Sequence, residues 1–182
     1  MRATPENEPR DKDDKLYLVP PVRLALVHLN KPIDLSAVAQ IAIATGHVEV
    51  DLVGSTLPLD HQKVTSKLSS WNVEPGSIGD IITNRYDTVR DLKANNPGSR
   101  LVGTVVKGGE NPFAFDWLTD DIVVIGGANG LSNDDKEQMD VNVSIPTQPE
   151  TSFLTVAVVA SALAYHILTK RNLWEKFQQT PQ

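Results

Sequence analysis

The sequence predicts an α/β domain with a mainly parallel sheet and helices on both faces, on three observations. The chain opens strand–helix–strand: Val22–His28 (VRLALVH), a helix reaching Thr45 and stopped by Gly46, then Val48–Val53 (VEVDLV). That order calls for a right-handed crossover between two parallel strands. Further on, an apolar strand at Ile122–Ile125 runs directly into Gly126-Gly127-Ala128-Asn129-Gly130. Glycine turns at strand ends are where small ligands meet an α/β sheet, because the backbone itself can approach the ligand. Finally, 182 residues with 40% hydrophobic content fit one core, and no linker is long enough to divide it.

The elements follow in order. Residues 1–18 form a charged, Pro-containing tail with nothing to bury, and Val19-Pro20-Pro21 opens a single domain that extends to residue 172. After the first strand, Asn30-Lys31-Pro32 turns the chain, and Asp34 or Ser36 caps the first helix. Gly46 supplies its left-handed stop. Asp60–Ser69 reads as a short helix, and Val73–Ile82 as loop around Pro75-Gly76. Tyr86–Ala94 reads as a helix ended by Asn95-Asn96-Pro97-Gly98. Arg100–Val106 (RLVGTVV) is a strand that leads into Lys107-Gly108-Gly109. Beyond the glycine turn, Ser132 caps a short acidic helix. A strand at Val141–Ile145 meets Pro146, a small-residue helix runs from Thr151 to Arg171, and residues 173–182 form a tail.

Composition removes whole classes of chemistry. There is no cysteine, so disulfides, thiolate nucleophiles and Cys-ligated zinc are excluded. His28, His47, His61 and His166 show no metal-ligand spacing, and no metal is expected. The glycines fit neither a dinucleotide fingerprint nor a phosphate-binding P-loop, and no G-x-S-x-G elbow is present. The apolar run Phe153–Leu168, about sixteen residues, is short of the roughly 20 needed to span a bilayer. With a polar N-terminus and no signal peptide, a soluble, cytoplasmic protein is expected. A formal charge of −6 argues against general nucleic-acid binding, so any basic face has to be local. Lys63, Lys67, Arg85, Arg90, Lys93 and Arg100 are its candidates. Lys107 is the cation expected nearest a pocket.

The succession G-G-A-N-G-L-S at 126–132, I-P at 145–146 and A-L-A-Y-H-I-L at 162–168 resembles the SpoU/TrmH branch of the SPOUT RNA methyltransferases. The resemblance covers roughly Val22 to Lys170. It implies a trefoil knot near the C-terminus, S-adenosylmethionine bound in that knot, and a homodimer. The implied activity is methylation of a ribose 2′-hydroxyl in tRNA or rRNA. Position by position, it places the methyl donor against Gly103, Thr104 and Val105, against Ile125, Gly126 and Gly127, and against Ile145, Pro146 and Leu154.

The polar positions depart from the family pattern. In N-x-G-x-x-x-R, Asp34 stands for Asn, Ser36 for Gly and Gln40 for Arg. Gln carries no charge at any pH. The second motif, G-x-E-x-x-G-L, is one residue shorter here and lacks its Glu. The Asn that precedes the last helix is replaced by Thr155 in one register or Leu154 in the other. Gln40 and Thr155 are therefore the candidate catalytic positions. A catalytically inactive relative, kept as an RNA-binding or protein-interaction module, stands as the alternative. A small-molecule-binding α/β enzyme unrelated to methyl transfer is a third class.

Overall fold

The computed structural model describes residues 20–148 and 153–171. The tails read at 1–18 and 173–182 lie outside the described residues, as does Ser152. The strands are β1 (Val22–Val27), β2 (Val48–Val53), β3 (Ile82–Tyr86), β4 (Leu101–Thr104), β5 (Ile122–Gly126) and β6 (Val141–Val143). The helices are α1 (Pro32–Thr45), α2 (Gln62–Ser70), α3 (Ile78–Ile81), α4 (Val89–Asn95), α5 (Asn133–Glu137) and α6 (Val156–Lys170). The strands form one sheet in the order β3-β2-β1-β5-β4-β6, and every pairing is parallel.

Alternation along β1 shows how both faces are used. Leu24 and Leu26 join a core with α1, α2 and α6, whereas Ala25 and Val27 join one with Val89 and Leu92 of α4. Strands buried on both sides read as near-continuous apolar runs, which is why β5 and most of β1 are visible in the sequence, while β2 keeps Glu49 and Asp51 between its valines.

Element edges differ from expectation in instructive ways. α1 begins at Pro32 rather than being capped by Asp34 or Ser36. Proline lacks the N–H that a first helical turn leaves unpaired, and its fixed φ suits that turn. Ser36 is inside the helix, its hydroxyl donating to the Pro32 carbonyl at 2.9 Å. At the other end Gly46 takes φ +63° and donates to Ala42 O, as anticipated. β3 runs from the end of the stretch read as loop (Ile82) through residues 83–85, for which the sequence predicts no element, to the start of the stretch read as helix (Tyr86), and α4 starts only after Thr88. β3 is an edge strand with an exposed middle (Thr83, Asn84, Arg85), so it carries no apolar signature. α6 starts at Val156, where Thr155 Oγ1 accepts from Val158 N. β6 stops at Val143, short of the Ile145 expected.

The predicted cap at Ser132 is present as a capping box. Ser132 Oγ accepts from Asp135 N at 3.1 Å, and Asp135 Oδ2 accepts from both Ser132 N and Ser132 Oγ. Ser132→Ala removes a donor to a carboxylate whose residue is buried, and is expected to cost about 1 to 2 kcal/mol. A urea unfolding curve with unchanged slope and a lower midpoint is the expected result.

The C-terminal end of α6 is stapled to two distant segments. Arg171 donates to the carbonyls of Pro20 and Pro21 at 2.8 Å and of Leu118 and Thr119 at 3.1 Å. One guanidinium thus fixes α6 to the segment leading into β1 and to the loop before β5.

Candidate functional site

β1 and β5 are neighbours, but the chain leaves them in opposite directions, towards β2 after β1 and towards β6 after β5. The crevice that opens between such diverging connections, beyond the carboxyl ends of parallel strands, is the ligand site of open α/β sheets. Here it holds a cavity of about 490 Å³. Its floor is Thr104, Val105 and Val106 after β4, with the turn Ile125–Gly130 after β5. Its sides are Lys31, Ile33 and Asp34 at the start of α1, and Phe153–Val156 with Val159 at the start of α6. Ile145 and Thr147 complete it.

Glycine is required at the base of this turn by proximity. A Cβ on Gly126 would collide with the backbone of Gly130 and Leu131, and one on Gly127 would lie 2.6 Å from the His28 carbonyl oxygen. Gly127 N donates to Val27 O at 2.8 Å, which draws the turn onto the end of β1. Gly130 takes φ +72° and reverses the chain towards Leu131, which is buried.

The sequence-derived positions divide into two groups. Thr104, Val105, Ile125, Gly126, Gly127, Ile145, Leu154 and Thr155 all line the cavity. Gly103, Pro146 and Gln40 do not. Gly103 is buried, and a Cβ there would meet Met139 and Asn142 instead. Gln40 lies six residues beyond Asp34, about 9 Å further along the helix axis. Lys107, expected to be the pocket's cation, is exposed and absent from the wall, whereas Lys31 is present.

Lys31 and Asp34 are the ionisable side chains among the lining residues. Burial raises the Asp34 carboxyl above its ordinary value, against a smaller downward pull from Lys31. The Thr104 hydroxyl is occupied, donating to Val124 O at 3.1 Å. The remaining wall is largely aliphatic with Phe153, suited to a flat or apolar body held by a few backbone groups.

The basic residues considered for a nucleic-acid face are mostly engaged elsewhere. Lys67 sits over the Trp71 ring at 4.9 Å, and Arg85 donates to Ser55 O and Leu57 O. Lys93 pairs with Asp140 at 2.8 Å, and Arg100 with Asp121 at 2.7 Å. Among the described residues no group of His, Asp and Glu side chains could hold a metal ion. No described helix is long and apolar enough to cross a membrane.

Comparison with known proteins agrees with this architecture. The model of the SpoU rRNA methylase family matches residues 21–165. No curated protein matches the sequence. Among solved structures, the SpoU methyltransferase AviRb from Streptomyces viridochromogenes, in complex with AdoMet, superposes with a TM-score of 0.66 at 23% identity. That match covers 84% of this chain and 58% of the other. The TrmH/SpoU tRNA modifying enzyme of A. aeolicus superposes with a TM-score of 0.67 at 16% identity, over 92% of this chain and 87% of the other. An RNA 2′-O ribose methyltransferase gives 0.69 at 23% identity, over 94% and 61%. The chain thus spans about three fifths of the length of AviRb and of the ribose methyltransferase. At these identities the superpositions speak for the fold, and the family match spans most of the chain: this protein belongs to the SpoU rRNA methylase family, within the SPOUT superfamily.

Proposed function

We propose that the protein is an S-adenosylmethionine-dependent RNA methyltransferase that methylates a ribose 2′-hydroxyl of tRNA or rRNA. The observation that carries this reading is the cavity of about 490 Å³ at the glycine turn, in a chain of the SpoU family. Its volume falls within the range of small-molecule sites, and its aliphatic wall suits an adenine. Because any Cβ at Gly126 or Gly127 strikes backbone, the strand end stays bare and its peptide groups can meet a ligand edge. When bound, the donor supplies an electrophilic methyl group on a sulfonium.

The chain's own contribution is to bind and orient. Ile125, Ile145 and Leu154 enclose the base, and the Gly126–Gly130 backbone contours the rest. Thr155, at the N-cap of α6, and Lys31 provide polar contacts at the wall. The family knot and a homodimer belong to the same proposal. In that reading the exposed Val158 and Tyr165 of α6 would be covered by the second copy.

Calorimetric titration with S-adenosylmethionine tests the pocket. Micromolar binding is expected, worth about 8 kcal/mol. Transfer of labelled methyl to unmodified tRNA and rRNA transcripts then tests the reaction. No binding up to about 1 mM, roughly 4 kcal/mol, would remove the donor pocket and with it the enzyme.

A second reading, a relative that binds donor and RNA but transfers nothing, is favoured by residue 40. The neutral Gln40 is off the cavity wall and cannot supply the charge that arginine brings to phosphate and hydroxyl. Donor binding with no transfer to any transcript would establish it.

A further inference from the structure

The cavity carries a charge distribution that no resemblance assigns. Its wall has one carboxylate, Asp34, and one ammonium, Lys31, and the other lining residues are uncharged. The two are not equivalent. Asp34 is partly buried, and its side chain makes no hydrogen bond among the described residues, whereas Lys31 is exposed. A charge in water is screened, while one against an aliphatic wall is not. The field inside the cavity is therefore set by the carboxylate, and a cation is the occupant that satisfies it. Burial raises the Asp34 carboxyl above its ordinary value, with Lys31 as a smaller opposing influence.

Resting on the donor-pocket reading above, we propose that Asp34 is a specificity-determining residue through which the cavity selects the positively charged sulfonium donor over its neutral thioether product. S-adenosylmethionine and S-adenosylhomocysteine share the adenosine and the amino-acid end. They differ in one methyl group and in the charge on sulfur. Contacts that the two have in common cancel in the ratio of affinities, which leaves the methyl group and the charge on sulfur, and the change of that ratio when Asp34 is neutralised reports the charge. Methyl transfer removes the positive charge from sulfur, so the attraction to Asp34 ends with the reaction and the spent donor is released more easily. The position carries weight because Asp34 is in the first turn of α1, opposite the glycine turn, with Ile33 beside it on the same wall.

The test is a pair of calorimetric titrations, with S-adenosylmethionine and with S-adenosylhomocysteine, on the full chain and on Asp34→Asn. The full chain is expected to bind the sulfonium compound about tenfold more tightly at pH 7.5. Asp34→Asn is expected to bring the two within about threefold by weakening only the former. Asp34→Glu should keep the preference. Because the Asp34 side chain makes no hydrogen bond among the described residues and burial penalises its charge, Asp34→Asn should unfold no lower than the parent without ligand.

A measurement on the unaltered chain stands beside the variants. Lowering the pH through the Asp34 ionisation should erase the preference, since Asp34 is the wall's one carboxylate and Lys31 its other ionisable group. Equal affinities in the full chain, or a preference that survives Asp34→Asn, would overturn the assignment while leaving the pocket in place. Failure of both compounds to bind would overturn the pocket itself, and the assignment with it.

Discussion

Gly126→Ala is expected to abolish tight donor binding and to destabilise the fold by about 3 kcal/mol, a fall of roughly 6 to 12 °C in melting temperature. The cause is steric and has no side-chain remedy. The added methyl would meet the carbonyl group of Gly130 and the amide of Leu131, both backbone atoms of the turn that Gly126 begins. To make room, the turn has to lift away, and its residues Gly127 to Gly130 are cavity wall. Lifting it also strains the Gly127 N to Val27 O hydrogen bond that joins the end of β5 to β1. Donor affinity should drop at least tenfold, about 1.4 kcal/mol. Gly130→Ala supplies the contrast. That position is open to a Cβ but sits at φ +72°, so its penalty is backbone strain of about 1 kcal/mol, with binding nearly intact. Equal effects of the two substitutions on donor affinity would show that close packing at Gly126 does not shape the site.

The features legible in the sequence are those whose cause is local. β5, and β1 apart from Arg23, announce themselves because burial on both faces makes them nearly unbroken apolar runs, whereas β2 (VEVDLV) reads as a strand through its β-branched valines. The end of α1 is legible because Gly46 takes a left-handed conformation that other residues adopt at a cost. The turn after β5 is legible for a related reason, namely that three of its five residues are glycine. β3 is not legible, since an edge strand with an exposed middle has no periodic signature to read.

The site is harder to read than the fold because it is assembled across strands. That Lys31, Ile33 and Asp34 face the glycine turn follows from β5 inserting between β1 and β4, which element order alone does not dictate. Lys107 lies close in sequence to the cavity-lining Thr104–Val106, yet it is exposed and absent from the wall. Lys31 is distant in sequence and adjacent in space. Basic residues mislead for a related reason. In sequence Arg85, Lys93 and Arg100 look available to phosphate, whereas in the fold each is tied to a carbonyl or carboxylate.

Arg100→Met is expected to cost about 3 kcal/mol in stability while changing donor affinity less than threefold. Asp121 is the reason, since its side chain is only 2% exposed. Arg100 donates to both of its oxygens, Nε to Oδ1 at 2.8 Å and Nη2 to Oδ2 at 2.7 Å, and also to Asp116 O. Removing the guanidinium leaves a carboxylate in the interior with the Leu118 N–H as its remaining hydrogen bond among the described residues. Breaking one side of a buried pair typically costs 3 to 5 kcal/mol, and the 30% exposure of the Arg100 side chain favours the lower end. Methionine retains an apolar stem against the Phe115 ring, where the guanidinium now lies 4.8 Å from the centroid, so lost packing contributes little. Adding Asp121→Asn to the variant should recover about half of the loss, because the penalty comes from the stranded charge. Urea unfolding of the two single variants and the double variant measures this coupling. Simple additivity would mean that the pair acts as two independent groups. The pair anchors the loop between β4 and β5 at its far end, away from the cavity wall at Thr104–Val106. Stability and donor binding should therefore separate at Arg100, whereas at Gly126 they fall together.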